Sequence, residues 1–153
     1  MNTPSDIQRL QVEFSSHIPL TQAIGVKVSE AGPAMVRLQA PLGPNINDKG
    51  TAFGGSIAAV MTLAGWGLVW LHLRRQDMAA DLVIHKQESE FLKPLHDDLD
   101  IRARLADPNA LEEVDRRYQR GRRARVELLI DAVDGNGEPV ARMTARYVVL
   151  PKL

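Results

Sequence analysis

The chain has 153 residues, enough to bury one full core, whereas two domains of half that length would each be marginal. Its 44% hydrophobic and 25% charged residues exclude a disordered or low-complexity chain, and 19 basic against 19 acidic residues leave no net field to attract nucleic acid or an anionic membrane. The absence of cysteine excludes a disulfide framework, a thiolate metal site and a cysteine nucleophile.

The start, "MNTPSDIQRLQVEF", has neither a basic n-region nor an apolar h-region, so a cytoplasmic location is expected. Ser5 and Gln8 form a capping-box pair behind Pro4, with Ile7, Leu10 and Phe14 on one helical face; this predicts a helix over about residues 5–16, within an N-terminal segment 1–18. Ile24, Val26 and Val28 then alternate with small or polar neighbours. Gly32-Pro33 punctuates, and Val36, Leu38 and Ala40 alternate again, predicting a hairpin. A long apolar segment, 50–76, reads as a central helix. "DLVIHKQESEFLKP" is a strand candidate ending near Pro94, and "DLDIRARLAD" places Leu99, Ile101, Ala103 and Leu105 on one face. Asp107-Pro108 starts a brief helix or turn. Val126, Leu128 and Ile130 resume the period of two, and the turn "DGNG" leads to Ala141, Met143, Ala145, Tyr147 and Val149. The whole predicts one α+β domain, 1–153, with an antiparallel sheet.

The segment 51–73 is long enough to cross a membrane. Yet it carries four glycines, Thr51, Ser56, Thr62 and His72, and the amphipathic strands need an apolar partner; a helix buried under a curved sheet is therefore expected, with no membrane partner. "GGSIA" misses the G-x-S-x-G nucleophile elbow at Ala58, and the chain has too few helices for the fold that carries that elbow. Ser56 then reads as a small polar residue of the first helical turn. Gly54 and Gly55 have two readings. They permit a tight turn, or they let a carbonyl oxygen approach backbone N–H groups at the positive end of the helix.

The order helix, two strands, long buried helix and four strands, with the string "PNINDKGTAFGGS" continued by "LAGWG", resembles the hotdog-fold thioesterases, and specifically the YiiD C-terminal-type thioesterase domain. The likeness covers about residues 15–150, as a free-standing copy of that module. It implies an antiparallel sheet wrapped around one long buried helix, a homodimer or dimer of dimers, and hydrolysis of acyl-CoA or acyl-carrier-protein thioesters. Coenzyme A would enter only as part of the substrate, with no cofactor. The wider acyl-CoA thioesterase pattern N-x-x-G-x-x-H-G-G is matched at Asn47, Gly50, Gly54 and Gly55, but Phe53 replaces the histidine and Thr62 stands where an acid is usual.

On this resemblance, N–H groups of Gly54 and Gly55 would polarise the thioester carbonyl, Asp48 would act as general base and Asn47 would position the water. Asn45, Thr51, Phe53, Ser56, Gln87 and Ser89 would contact substrate. Asp48, Asn45 and Asn47 can equally be turn residues bonding their own backbone. By the two-residue period His85, Gln87, Ser89 and Phe91 share one face of the third strand. In hotdog dimers that strand pairs with its mate, which would bring Gln87 and Ser89 to the site. The four histidines lack metal-ligand spacing, so no metal is expected. "RRYQRGRRAR", 116–125, is either a phosphate contact or a solvated helix end with internal ion pairs; the acids before it favour the latter, and no nucleic-acid partner is expected. Trp66 and Trp70 read as core. The alternatives to a thioesterase are a non-catalytic acyl-thioester binding module and, third, a hotdog hydratase or dehydratase, whose usual histidine and acid pair is not seen.

Overall fold

A computed structural model describes residues 4–152; Met1–Thr3 of the expected N-terminal segment and Leu153 lie outside them. Helix α1 (Asp6–His17) starts at the predicted capping box: Ser5 Oγ accepts from the Gln8 N–H at 3.2 Å and Gln8 Oε1 accepts from the Ser5 N–H at 2.9 Å. Leu10 and Phe14 are its buried face. The next residues depart from expectation. Ile24 belongs to a five-residue helix, α2 (Leu20–Ile24), closed by Gly25 at φ 79°, a left-handed cap that glycine adopts without strain. Only then do β1 (Lys27–Ala31) and β2 (Met35–Ala40) form the predicted hairpin.

The long apolar segment is α3 (Gly54–Arg75), followed by β3 (Ala80–Phe91), β4 (Leu99–Leu105), α4 (Ala110–Gln119), β5 (Ala124–Val133) and β6 (Pro139–Pro151). The six strands form one sheet in the order β1-β2-β4-β5-β6-β3, every pair antiparallel. The sheet wraps α3, which is the hotdog arrangement. Alternate residues of β2, β4, β5 and β6, among them Leu38, Ile101, Leu128 and Tyr147, lie fully buried against Met61, Leu68 and Leu71 of the helix. Long and apolar enough to span a bilayer, α3 has two-thirds of its most apolar window (67%) buried inside the domain. Two glycines let it sink that far: a β-carbon on Gly65 would sit 2.6 Å from Tyr147 Oη, and one on Gly67 would sit 2.8 Å from Leu10.

The brief helix or turn expected after Pro108 is the ten-residue helix α4, whose Val114 is buried. His72 Nε2 at 2.7 Å from Asp115 Oδ1, and the Ala79 N–H donating to Tyr118 Oη at 2.9 Å, tie α4 to the end of α3. In the arginine run that follows, Arg116 pairs with Glu113, and Arg117 Nε donates to the Arg123 carbonyl.

The two sheet edges are finished differently. Along β1, the Gln11 side chain of α1 supplies what a neighbouring strand would: Nε2 donates to the Val26 carbonyl at 3.1 Å and Oε1 accepts from the Val28 N–H at 2.8 Å. Among the described residues, β3 receives one such side-chain bond, from Trp66 Nε1 to the Leu82 carbonyl at 3.2 Å. Twelve residues long, it leaves Val83 and Ile84 exposed.

A bulge between Ile84 and Lys86 changes the phase of β3. Leu82 and Ile84 pair with the buried Val149 and Tyr147; beyond the bulge, Gln87, Ser89 and Phe91 pair with the buried Ala145, Met143 and Ala141. Paired residues share a face, so Ile84, Gln87, Ser89 and Phe91 all lie on the helix side. His85, expected on the Gln87 face, is instead the unpaired residue of the bulge, and it is exposed.

Candidate functional site

The segment between β2 and α3 is shaped by its own amides. Asn45, only 3% exposed, donates from Nδ2 to the carbonyls of Ile24 (2.9 Å) and Pro41 (2.8 Å), and its own carbonyl accepts from the Phe53 N–H at 2.7 Å. It pins the loop between α2 and the head of α3. Asn47 closes the turn ahead of it: Oδ1 accepts from the N–H groups of Lys49 and Thr51, and Nδ2 donates to Thr51 Oγ1 at 2.8 Å. Gly50 sits at φ 77° in that turn, where a side chain would be strained. Thr51 is buried, and the Ala52 N–H bonds the Leu95 carbonyl at 2.8 Å, anchoring the turn to the chain beyond β3.

Asp48 stands at the tip of the turn with its side chain 81% exposed, and its one contact is with Lys49 Nζ at 3.2 Å. It is the sole carboxylate between Pro41 and Gln76.

The turn delivers the chain to α3 with no side-chain cap. Phe53 is the N-cap residue, and no Asp or Glu lies in the first helical turn. Among the described residues, the backbone N–H groups of Gly54, Gly55 and Ser56 have no protein acceptor; the first helical bond runs from the Ile57 N–H to the Phe53 carbonyl. These donors sit at the positive end of a 22-residue helix. Gly55 is exposed, while Gly54 and Ser56 are half-buried.

Two aromatic rings flank the glycines. The Phe53 ring lies over Gly55, and Cε1 of Phe91, from the far end of β3, is 3.4 Å from where a Gly54 β-carbon would be. Both rings are themselves about half exposed, at 54% and 53%, and Ile46 and Leu92 add further exposed apolar surface. Exposed apolar side chains thus flank the unpartnered donors of the helix head, the combination that a site for an acyl group with one polar atom requires. Phe91 was not among the candidates from sequence, although its place on the Gln87 and Ser89 face of β3 was a usable signal.

On that face Ser89 is half-buried and donates from Oγ to Gln87 Oε1 at 2.7 Å, while Gln87 is exposed. The structure therefore gathers Phe53, Gly54, Gly55 and Ser56 at one point, with Gln87 and Ser89 on the strand that ends there. It turns the side chain of Asn45 away into the loop, uses that of Asn47 to close the turn, and sets Asp48 at its tip. Among the described residues no group of three or more His, Cys, Asp or Glu side chains could hold a metal. In α3, Thr62 Oγ1 donates to the Ala58 carbonyl at 2.9 Å, and the Thr62 carbonyl accepts from Tyr147 Oη at 2.6 Å. Burial holds the Tyr147 hydroxyl well above the usual tyrosine range, so it is a structural donor.

Solved structures share this architecture. A "putative thioesterase" from Shewanella oneidensis is 31% identical, with 95% of this chain and 98% of that one covered and a TM-score of 0.85. A protein of unknown function from Chlorobaculum tepidum TLS is 26% identical over 94% of this chain and 93% of that one, with a TM-score of 0.88. A "probable thioesterase" from Pseudomonas aeruginosa, at 23% identity over 99% of both chains and a TM-score of 0.82, has the same fold. Residues 7–151, nearly the whole chain, match the family described as "Putative thioesterase (yiiD_Cterm)", and the chain belongs to that family.

Proposed function

We propose that this protein hydrolyses acyl thioesters of coenzyme A or acyl carrier protein at the head of α3. The observation that carries the proposal is the pair of unpartnered N–H groups at Gly54, which is half-buried, and Gly55, which is exposed, framed by Phe53 and Phe91. A thioester carbonyl oxygen seated there gains hydrogen bonds that strengthen as negative charge develops on it. Asp48 is the carboxylate assigned to take the proton from the attacking water, with Asn47 setting the turn that presents it. Water adds to the carbonyl carbon, the oxyanion is held by the two N–H groups, and collapse breaks the C–S bond as the proton held by Asp48 passes to the leaving sulfur. The products are a carboxylic acid and a free thiol.

The active form in this proposal is a homodimer joined through β3. With β1 finished by Gln11, β3 is the edge left unpaired, and a long edge strand with exposed Val83 and Ile84 is a template for another strand. Antiparallel pairing of two β3 strands places the Phe91 end of one beside the Ala80 end of the other, so each site would lie against the partner.

A second reading is a non-catalytic acyl-thioester binding module. It is favoured by the one specific fact that Asp48 is exposed and paired to Lys49, with no other carboxylate in the turn or helix. Thiol release from acyl-CoAs of short, medium and long chain by wild type and Asp48→Asn separates the two. Hydrolysis by wild type and its loss in the variant supports the full proposal. Hydrolysis unchanged in the variant removes Asp48 as base. Wild-type rates equal to buffer at every chain length would sink the hydrolase and leave the binding module.

A further inference from the structure

We propose that Trp66 is the end stop that limits how long an acyl chain the site accepts. The inference rests on the reading of the α3 head as an acyl-thioester site.

Helix α3 and strand β3 run antiparallel and are clamped together at two points. At one end the Phe91 ring meets Gly54; at the other, Trp66 Nε1 donates to the Leu82 carbonyl at 3.2 Å. Between the clamps each element leaves part of the other uncovered. Ala58, Ala59 and Thr62 remain only half-buried on the helix, and Gln87 and Ile84 are exposed although they lie on the helix side of the strand. On this proposal the surface between the clamps is a trough that starts at the glycines, where the thioester carbonyl would sit, and ends at Trp66.

Its walls suit a hydrocarbon chain. Thr62 and Ser89 have their hydroxyl protons engaged, with the Ala58 carbonyl and Gln87 Oε1 respectively, so they present little unsatisfied polarity. The stop is fixed rather than swinging: Trp66 stacks on Trp70 with centroids 5.8 Å apart, lies 6.3 Å from Phe14, and is held by its N–H. Gly55 to Trp66 is about 16 Å of helix at roughly 1.5 Å per residue. Leaving about 4 Å for van der Waals contact with the ring, and allowing about 1.25 Å per methylene of an extended chain, the trough holds roughly ten carbons.

The test uses S-(2-oxoalkyl)-CoA thioethers of increasing chain length, which keep a carbonyl but carry a methylene between it and the sulfur and so cannot be hydrolysed, with affinity measured by calorimetry on the full chain. For wild type, Kd is expected to tighten about two- to fourfold per methylene up to roughly ten carbons and then stop tightening. Trp66→Ala, shown to be folded by circular dichroism, should go on tightening for several carbons more. Thr62→Leu, which narrows the trough about two-thirds of the way along, should bring the limit down to roughly five carbons; it decides the matter alone if Trp66→Ala does not fold. A wild-type limit that neither variant moves overturns the proposal, as does failure of every thioether to bind. Normal chain-length dependence of binding without hydrolysis of the matching acyl-CoAs upholds the stop and removes only the hydrolase reading.

Discussion

The ring of Phe53 rests on Gly55 so closely that a methyl group at position 55 would meet Cζ of the ring at 2.8 Å. Because Phe53 is about half exposed, the ring can swing aside, and Gly55→Ala is expected to stay within about 1 kcal/mol of wild type in stability. Its methyl group would then occupy the approach to the helix-head N–H groups. Thioester hydrolysis is expected to fall roughly a hundredfold, the scale of losing one oxyanion donor. Melting curves and initial rates of thiol release, measured on the same preparation, check both halves.

Gly65→Ala should behave in the opposite way. Its β-carbon would lie 2.6 Å from Oη and 2.8 Å from Cε2 of Tyr147, which is fully buried and anchored to the Thr62 carbonyl, so the ring has nowhere to go. The cost expected is that of overpacking, about 1–3 kcal/mol. In a Tyr147→Phe background the same substitution should cost less, since the nearest colliding atom is gone. Equal costs in the two backgrounds by urea unfolding would show that the hydroxyl is not what the glycine accommodates.

On the outer face of the sheet, Arg37 grips Asp100 with both ends of its guanidinium fork, at 2.9 Å each. Partial burial pushes the Asp100 carboxyl up, but the Arg37 hydrogen bonds and charge, with Arg102 behind them, more than reverse this and leave it below the usual carboxylate range. A carboxyl that titrates lower in the folded than in the unfolded chain stabilises the fold wherever it is ionised. That contribution is complete above the unfolded value of about 3.9 and is lost as pH falls through the lowered native one. Asp100→Asn is therefore expected to cost about 1–2 kcal/mol at neutral pH, with the gap to wild type constant down to about pH 5 and closing below about pH 4. Denaturant titrations across that range are the measurement.

The two edges of the sheet give a paired prediction. Val83→Lys puts a charge on the uncovered edge and should turn the proposed dimer into a monomer by light scattering, with loss of hydrolysis if each site needs its partner. Gln11→Ala removes two part-buried hydrogen bonds at the other edge and should cost about 1–2 kcal/mol while leaving the mass unchanged. An unaltered dimer mass for Val83→Lys would refute pairing through β3.

What could be read from sequence was what is local or faces one solvent. The Ser5–Gln8 capping box is a four-residue event and formed as expected. β4 alternates cleanly because one face is buried and the other is wet. Helix α2 was hidden because Ile24, Val26 and Val28 are all buried, so a helix end and a strand start together imitate one strand; Gly25 was the overlooked punctuation. Of the candidate site, Gly54 and Gly55 at the start of α3 could be picked out because they are contiguous in sequence. The Phe91 contact with Gly54 could not be, because it depends on how β3 is registered against β6, which no local pattern encodes. The same register leaves neither face of β3 apolar by strict alternation, since its inward residues change parity halfway along.

That change of parity makes His85 a residue whose chemistry matters less than its being left out of the ladder. Counting on from Ile84 in strict alternation with His85 paired, Lys86, Glu88 and Glu90 would turn toward α3 in place of Gln87, Ser89 and Phe91. Replacing His85 should thus be mild, and so should deleting it, since Lys86 would then follow Ile84 in an unbroken strand with the same residues turned inward. Binding of a long-chain thioether analogue should survive both changes; its loss in the deletion variant alone would show that the bulge itself, and not the inward face it preserves, is what the ligand needs.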